Sequence, residues 1–383
     1  MTTDLVERAR KLAPVIEAAA DRTEELGTMP DDVVEALADA DLFWILVPTE
    51  LGGAEADVRT SLEVFEELAR ADGSTGWSLM ANATTSCFAA IFTGDEAVDA
   101  MFGAAARDGR RMPIHAGMLG PIGTLRTDAG GVVVDGRYSF GSGCAHADWF
   151  GAGGMVTVDG EGAVDEYGLP DMRVTFLPAD QVEVTGNWDV LGLGGTGSFD
   201  YRVDRRHVDD SFTFQLLTAA PRRGGPGYGI GLFGLTAIGH AGFALGVGRR
   251  ALDEVLDIAR SKQRLGGDPI AEQQLFQHDF AMADAAMRSA RAYTYEAFEE
   301  AEAAVLDGGT ATNEQQQRMR QATTYATRVA ADAARFAYTW AGSNGLRQPS
   351  VVGRCFRDIS AGTQHLYVDN NTLTAYTQAL LNG

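Results

Sequence analysis

Only three cysteines occur in 383 residues, and Cys87, Cys144 and Cys355 stand far apart in no CxxC arrangement. That scarcity excludes a disulfide framework or a thiolate zinc site as the basis of the fold, and it fits a reducing compartment. Basic residues are also short: 31 Lys and Arg face 53 Asp and Glu, a formal net charge of -22. A surface of that sign repels phosphate backbones and anionic membranes, so no nucleic acid and no membrane is expected as a partner. The opening "MTTDLVERARKLAP" lacks the apolar centre of a secretory signal, and no run reads as a membrane span of roughly 20 residues. The expectation is a soluble cytoplasmic protein.

A nicotinamide site is missing as well. "GLGGTG", Gly192 to Gly197, matches the GxGxxG spacing, but it lies between two β-like runs and opens no helix. A phosphate cradle of that type needs a helix N-terminus directly behind it, so a tight glycine turn before a strand is the better reading.

What is present falls into three textures. Hydrophobic residues make up 45% of the chain, enough to bury large cores in two or three domains. Residues 1–110 carry helical apolar spacing, as in Leu62, Phe65, Leu68 and Ala69, with Pro30 at a possible helix start. Residues 111–220 turn to short β-favouring runs between glycines: "GVVVDGRYSF", "WFGAGGMVTV", "MRVTFLP", "VEVTG" and "FDYRVDRRHV". Residues 221–383 hold long Ala-rich stretches at 229–264, 271–307, 313–342 and 363–381, which predict a four-helix bundle after a flexible "PRRGGPGYG" connector. The fold class is α+β: an N-terminal helical domain, a central β-barrel or sheet, and a C-terminal bundle.

The tail "RDISAGTQHLYVDN" sets Arg357, Asp358, a small-residue bend, His365, Asp369 and Asn370 close together, more polar chemistry than a closing helix needs. Taken alone, His365 reads as a satisfied histidine at a helix start or as part of a site.

The order of textures and five motifs resemble the acyl-CoA dehydrogenase superfamily over nearly the whole chain: "VPTELGGAEADV", "DGRYSFGSGCAHADWF", "WDVLGLGGTGSFDYRVDRRHV", "ALDEVLDIARSKQRLGGDPIAEQQ" and "RCFRDISAG". The resemblance implies a flavin against the strand at Phe140-Gly141-Ser142, with Phe140 packed on the isoalloxazine and Ser142 at N5. It extends the flavin contacts to Trp188, Lys262, Arg264, Gln273 and Arg357, although a solvated helix face or an ion pair with Asp358 or Asp369 explains the charged members equally well. A dehydrogenase of this family carries a glutamate base about nine positions after the arginine. Leu366 falls there, with His365 beside it and no carboxylate until Asp369.

"FGSGCAHADW" and "RDISAGTQH" look more like the oxygenase components of two-component flavin-dependent monooxygenases, similar to p-hydroxyphenylacetate hydroxylase and the steroid-catabolic phenol hydroxylases. That branch implies reduced FMN or FAD from a separate NAD(P)H:flavin reductase, O2 as co-substrate, a flavin C4a-hydroperoxide, and hydroxylation of a small aromatic in a dry pocket. Its implied catalytic residues are His365 as proton acceptor, oriented by Asp369 or Asn370, with Ser142 and His146. Its implied pocket residues are Trp77, His115, Phe233 and Trp340, any of which is equally read as ordinary core. A homotetramer built on the bundle is expected, and no metal. The rival readings are a dehydrogenase with tightly bound FAD and its base elsewhere, and a non-catalytic flavin-fold subunit.

Overall fold

The computed structural model describes residues 2–104, 111–262 and 268–382. The first part is helical: α1 (Thr2–Leu26), α2 (Asp31–Asp39), α3 (Val58–Ala71), α4 (Gly73–Phe92) and α5 (Asp95–Val98). Asp57 caps α3 by accepting the Thr60 N–H at 2.7 Å, and Leu62, Phe65, Leu68 and Ala69 form its buried stripe. Asp72 caps α4 in the same way through Thr75, at 2.8 Å. Almost every residue of α4 is buried, so this helix is the centre of the N-terminal part.

The middle part is one open mixed sheet: β1 (His115–Asp128), β2 (Gly131–Gly141), β3 (Trp149–Val158), β4 (Glu161–Gly162), β5 (Met172–Pro178), β6 (Glu183–Gly186), β7 (Phe199–Asp209) and β8 (Thr213–Gln215). The path runs β6-β7-β2-β1-β3-β5-β8, with β4 on β3 and only the β1–β3 pair parallel. The five expected strands form, β3 and β5 over the residues expected. The structure adds β1, whose Gly117, Gly120, Pro121 and Gly123 hide the strand pattern. Its register against β3 shifts between Met118 and Gly123, a bulge that accommodates the proline. One face of the sheet closes a core of its own around Val134, Phe150, Val203 and the stacked rings of Tyr138 and Tyr201, 4.9 Å apart. The other face, with Val174, Phe176 and Phe214, joins the helical core.

The last part holds α6 (Gly231–Ser261), α7 (Gln274–Val305), α8 (Asn313–Ala341), α9 (Val351–Gly362) and α10 (Asn371–Asn382). The fourth position of the bundle is therefore shared by two short helices, a correction to the single stretch expected at 363–381. Ser350 starts α9 by accepting the Gly353 N–H at 3.1 Å, so the Arg-Asp pair and the following "SAG" lie on a helix and not in a bend. Helix α6 is also more apolar than expected, long enough and apolar enough by composition to cross a membrane, with 78% of its most apolar window buried inside the protein. Two glycines let it lie flush on α3: a Cβ at Gly242 falls 2.5 Å from the Phe65 Cβ, and one at Gly246 falls 2.3 Å from the Glu66 carbonyl oxygen.

The glycine loop between β6 and β7 is pressed onto α9. A Cβ at Gly192 lies 2.0 Å from the Arg357 carbonyl oxygen. Gly192→Ala is expected to lose about 1–3 kcal/mol of stability, the scale of overpacking a filled site. A wild-type midpoint in urea unfolding contradicts this close contact.

Candidate active site

Strand β2 ends in a reversal that few side chains tolerate. Phe140 sits at φ +67, strained for a bulky residue, and Gly143 at φ +67 is pressed against Asn82. The reversal leaves the Phe140 ring 60% exposed, edge-on to Trp188 at 6.1 Å. It also turns Ser142 toward α4, where Trp77 donates its indole N–H to Ser142 Oγ at 3.0 Å. Behind Ser142 the hydroxyls continue: Ser198 Oγ at 2.8 Å, then Thr196 Oγ1 2.7 Å further on. The Thr196 hydroxyl donates to the Leu193 carbonyl at 2.8 Å, and Trp188 Nε1 donates to the same carbonyl at 2.9 Å. Leu193 in turn donates its N–H to Asp358 at 2.6 Å.

The other side of Trp77 faces a cluster of rings. His240 lies 5.1 Å away, Phe243 4.9 Å and His365 5.6 Å, all edge-on. His365 is 4.4 Å from His240, which stacks on Tyr367 at 5.4 Å. The Tyr367 hydroxyl donates to the Phe233 carbonyl, and the Arg320 guanidinium lies over both the Phe233 and Tyr367 rings.

His365 is exposed at the edge of this cluster, and the protein packed around it pushes its pKa down to about 4. Its Nδ1 accepts the Tyr367 N–H at 3.2 Å, so the neutral ring carries its proton on Nε2. Neither residue expected to orient it does so: Asp369 caps α10 by accepting the Asn371 N–H, and Asn370 accepts from Arg328.

Several residues chosen from sequence lie elsewhere. The His146 ring reaches the Met29 carbonyl through Nε2 at 2.9 Å, pinning the sheet to the α1–α2 turn. Burial holds it below the ordinary histidine range. His115 stacks on Phe102 at 5.1 Å and bonds Ser86, between α4 and β1, and burial pushes its pKa down to about 3. Trp340 belongs to a separate cluster with Phe276 and Phe336. Lys262 donates to the Ala341 carbonyl at 2.6 Å, Gln273 to the Asp268 carbonyl at 3.0 Å, and Arg357 pairs with Glu24. Arg264 lies outside the described residues. A surface cavity of about 780 Å³, lined by Asp171, Arg173 and Arg222 among others, contains none of the expected site residues.

Sequence reasoning missed His240, Phe243, Tyr367 and Ser198. His240 had a signal: it follows Phe233 by seven and precedes Phe243 by three, one face of a helix. Ser198 had none, since its place depends on the loop returning to β2.

With this geometry in view, the class is defined. Residues 3–104 match the model of the acyl-CoA dehydrogenase N-terminal domain, and residues 238–370 that of the acyl-CoA dehydrogenase C-terminal domain. The chain is 32% identical to indole-3-acetate monooxygenase of Pseudomonas putida over 347 residues, 89% of this chain and 84% of that one. It belongs to the acyl-CoA dehydrogenase superfamily, in the branch of its flavin-dependent monooxygenases. Half of it, 50%, aligns at 32% identity with 47% of the flavin-dependent monooxygenase oxygenase subunit HsaA of Rhodococcus jostii. The same fold occurs in 3-HSA hydroxylase from Rhodococcus sp. RHA1, with TM-score 0.90 and 23% identity over 99% of this chain and 97% of that one. It occurs again in XiaF from Streptomyces sp. in complex with FADH2, with TM-score 0.87 and 21% identity over 100% and 96%.

Asp358, which holds the Leu193 N–H, is fully enclosed beside Asp72, and burial pushes its pKa up from 3.8 to about 7. A carboxyl whose folded pKa is raised binds its proton more tightly in the native state. Its stabilising contribution is complete below the unfolded pKa and is lost as pH rises through about 7. Asp358→Asn keeps the acceptor oxygen and removes the titration. Its melting temperature is therefore expected to fall less than that of the wild type between about pH 5 and pH 8. Parallel curves contradict the assignment.

Proposed function

We propose that this chain is the oxygenase component of a flavin-dependent monooxygenase that hydroxylates a small aromatic substrate, a phenol or a related ring, with reduced flavin and O2. One observation carries the reading. Trp77 donates its indole N–H to Ser142 and sets its ring against His365, so a single side chain joins the flavin-facing hydroxyl to the polar wall of an aromatic pocket.

The residues fit a flavin. Phe140 offers an exposed ring held in place by a strained backbone, and Ser142 beside it has an acceptor position unused by the protein. Reduced flavin supplies the electrons that activate oxygen when it is bound. His240, Phe243 and Tyr367 keep water from the reacting atoms. His365, neutral and protonated on Nε2, donates to the oxygen of the substrate and orients its ring for attack. This replaces the proton-acceptor role expected from sequence, because Nδ1 is already occupied by the Tyr367 N–H.

The likeness to an indole-3-acetate monooxygenase supports a planar aromatic substrate. The glycine loop lies between two strands, which supports delivery of reduced FMN or FAD by a separate NAD(P)H:flavin reductase. Leu366, 78% exposed, occupies the place of a dehydrogenase base, and this disfavours the dehydrogenase alternative.

The direct test mixes protein and reduced flavin with oxygenated buffer and candidate phenols, following flavin reoxidation, hydroxylated product and hydrogen peroxide. His365→Ala is expected to reoxidise flavin but to lose hydroxylation on the order of 10²-fold, the scale of a misplaced substrate, releasing peroxide instead. Because its pKa sits near 4, the His365 contribution should be flat between about pH 6 and pH 9. Hydroxylation at the parental rate makes the histidine structural. Leu275 and Met282 stand exposed on α7, and they support a homotetramer through the bundle. Light scattering should then report four times the 40.7 kDa chain, and a monomer at micromolar concentration overturns it.

A further inference from the structure

We propose that the hydroxyl chain behind Ser142 makes the site discriminate between the redox states of its flavin, with Ser198 and Thr196 as positioning residues. This rests on the reading of Ser142 as the hydroxyl that meets flavin N5. A serine or threonine hydroxyl carries one proton and two acceptor positions, so a chain of them has a direction once its ends are fixed. The inner end here is fixed.

At the inner end, the Leu193 carbonyl only accepts, so the Thr196 proton goes to it at 2.8 Å. Thr196 therefore accepts from Ser198 at 2.7 Å, and Ser198, its proton committed, accepts from Ser142 at 2.8 Å. At the outer end, Trp77 Nε1 only donates, and it donates into Ser142 Oγ at 3.0 Å. The inner end sets the polarity, and the indole donor at the outer end fills one of the two Ser142 lone pairs. Thr196 and Ser198 are buried, 0% and 2% exposed, so the inner links have no competing water. Ser142 is only partly buried and faces outward with one lone pair and no proton to give.

Flavin N5 changes character with redox state. In the reduced ring it carries a hydrogen and donates; in the oxidised ring it only accepts. A lone pair on Ser142 therefore bonds reduced flavin and meets the lone pair of oxidised flavin with repulsion. The selection is set one and two residues behind the contact, because a free serine hydroxyl would rotate and serve either form. A shuttled cofactor benefits, since it is held while reduced and released once oxidised.

The test compares dissociation constants of the full-length protein for oxidised FMN and FAD, and for the same flavins reduced with dithionite under anaerobic conditions. Ser198→Ala frees the Ser142 proton. Thr196→Val frees the Ser198 proton, which turns to Ser142 and has the same effect from a second position. Both variants should bind oxidised flavin about threefold to tenfold more tightly and leave reduced flavin nearly unchanged, the scale of one hydrogen bond. A tenfold fall in the ratio lowers the potential of the bound flavin by about 30 mV for a two-electron couple. Ser198→Thr, which retains the hydroxyl, should keep the wild-type ratio, and Ser142→Ala should weaken reduced flavin instead. The proposal is overturned if Ser198→Ala and Thr196→Val leave the ratio unchanged or weaken both forms equally, as a merely structural role would. If the wild-type chain binds neither flavin, the reading of Ser142 falls first and the proposal falls with it.

Discussion

The peptide of Leu193 ties the three parts of the molecule together. Its N–H goes to Asp358 on α9, 165 positions away in the chain, and its carbonyl receives both Thr196 and Trp188. The residue is held at φ +59, a conformation that leucine adopts only under constraint from its surroundings. Removing the partner of a buried N–H leaves an unsatisfied donor at about 1–3 kcal/mol, so the loop, the helix and the indole are energetically one unit. Asp358 is itself costly to hold, beside Asp72 and with Oδ2 lacking a hydrogen-bond partner among the described residues. Arg354, buried and paired with Asp21 at 2.6 Å, lies close enough to temper both acids. The Arg-Asp element thus acts on the site through the backbone of a loop and not through a side chain in the pocket.

The two halves of the site use polar groups in opposite ways. Around Ser142, side-chain hydroxyls and an indole N–H form a continuous chain with no donor left over. On the pocket side, His240 and His365 are kept neutral by desolvation, His240 well below its ordinary range. Buried His240 beside Trp77 and Tyr367 keeps the wall apolar, while the exposed His365 at its edge offers an N–H. Trp77 belongs to both halves, and its place near the start of α4 is secured by the Asp72 cap.

Much of the architecture was legible in the chain itself. Period-3.6 spacing in α3, glycine-bounded β runs and long alanine-rich helices set the order helical, β, helical. Local pattern also pointed to the strand end at Phe140 and Ser142, because its geometry depends on one strand terminus and its glycines. It failed at β1, where a bulge with Pro121 breaks alternation, and at α9, whose Ser350 cap was overlooked.

What only the tertiary structure decided were relations between residues far apart in the chain. Trp77 and Trp340 are alike in sequence terms, yet one meets Ser142 and the other packs on Phe276. His115, His146 and His365 differ by the neighbour each ring nitrogen meets, the Ser86 hydroxyl, the Met29 carbonyl and the Tyr367 N–H, a matter of angstroms between separate elements. Periodicity reports which face of an element is buried, because burial recurs along a helix or strand. It carries nothing about which neighbour that face meets, and the direction of a hydrogen-bond chain through Ser142, Ser198 and Thr196 exists only once those neighbours are in contact.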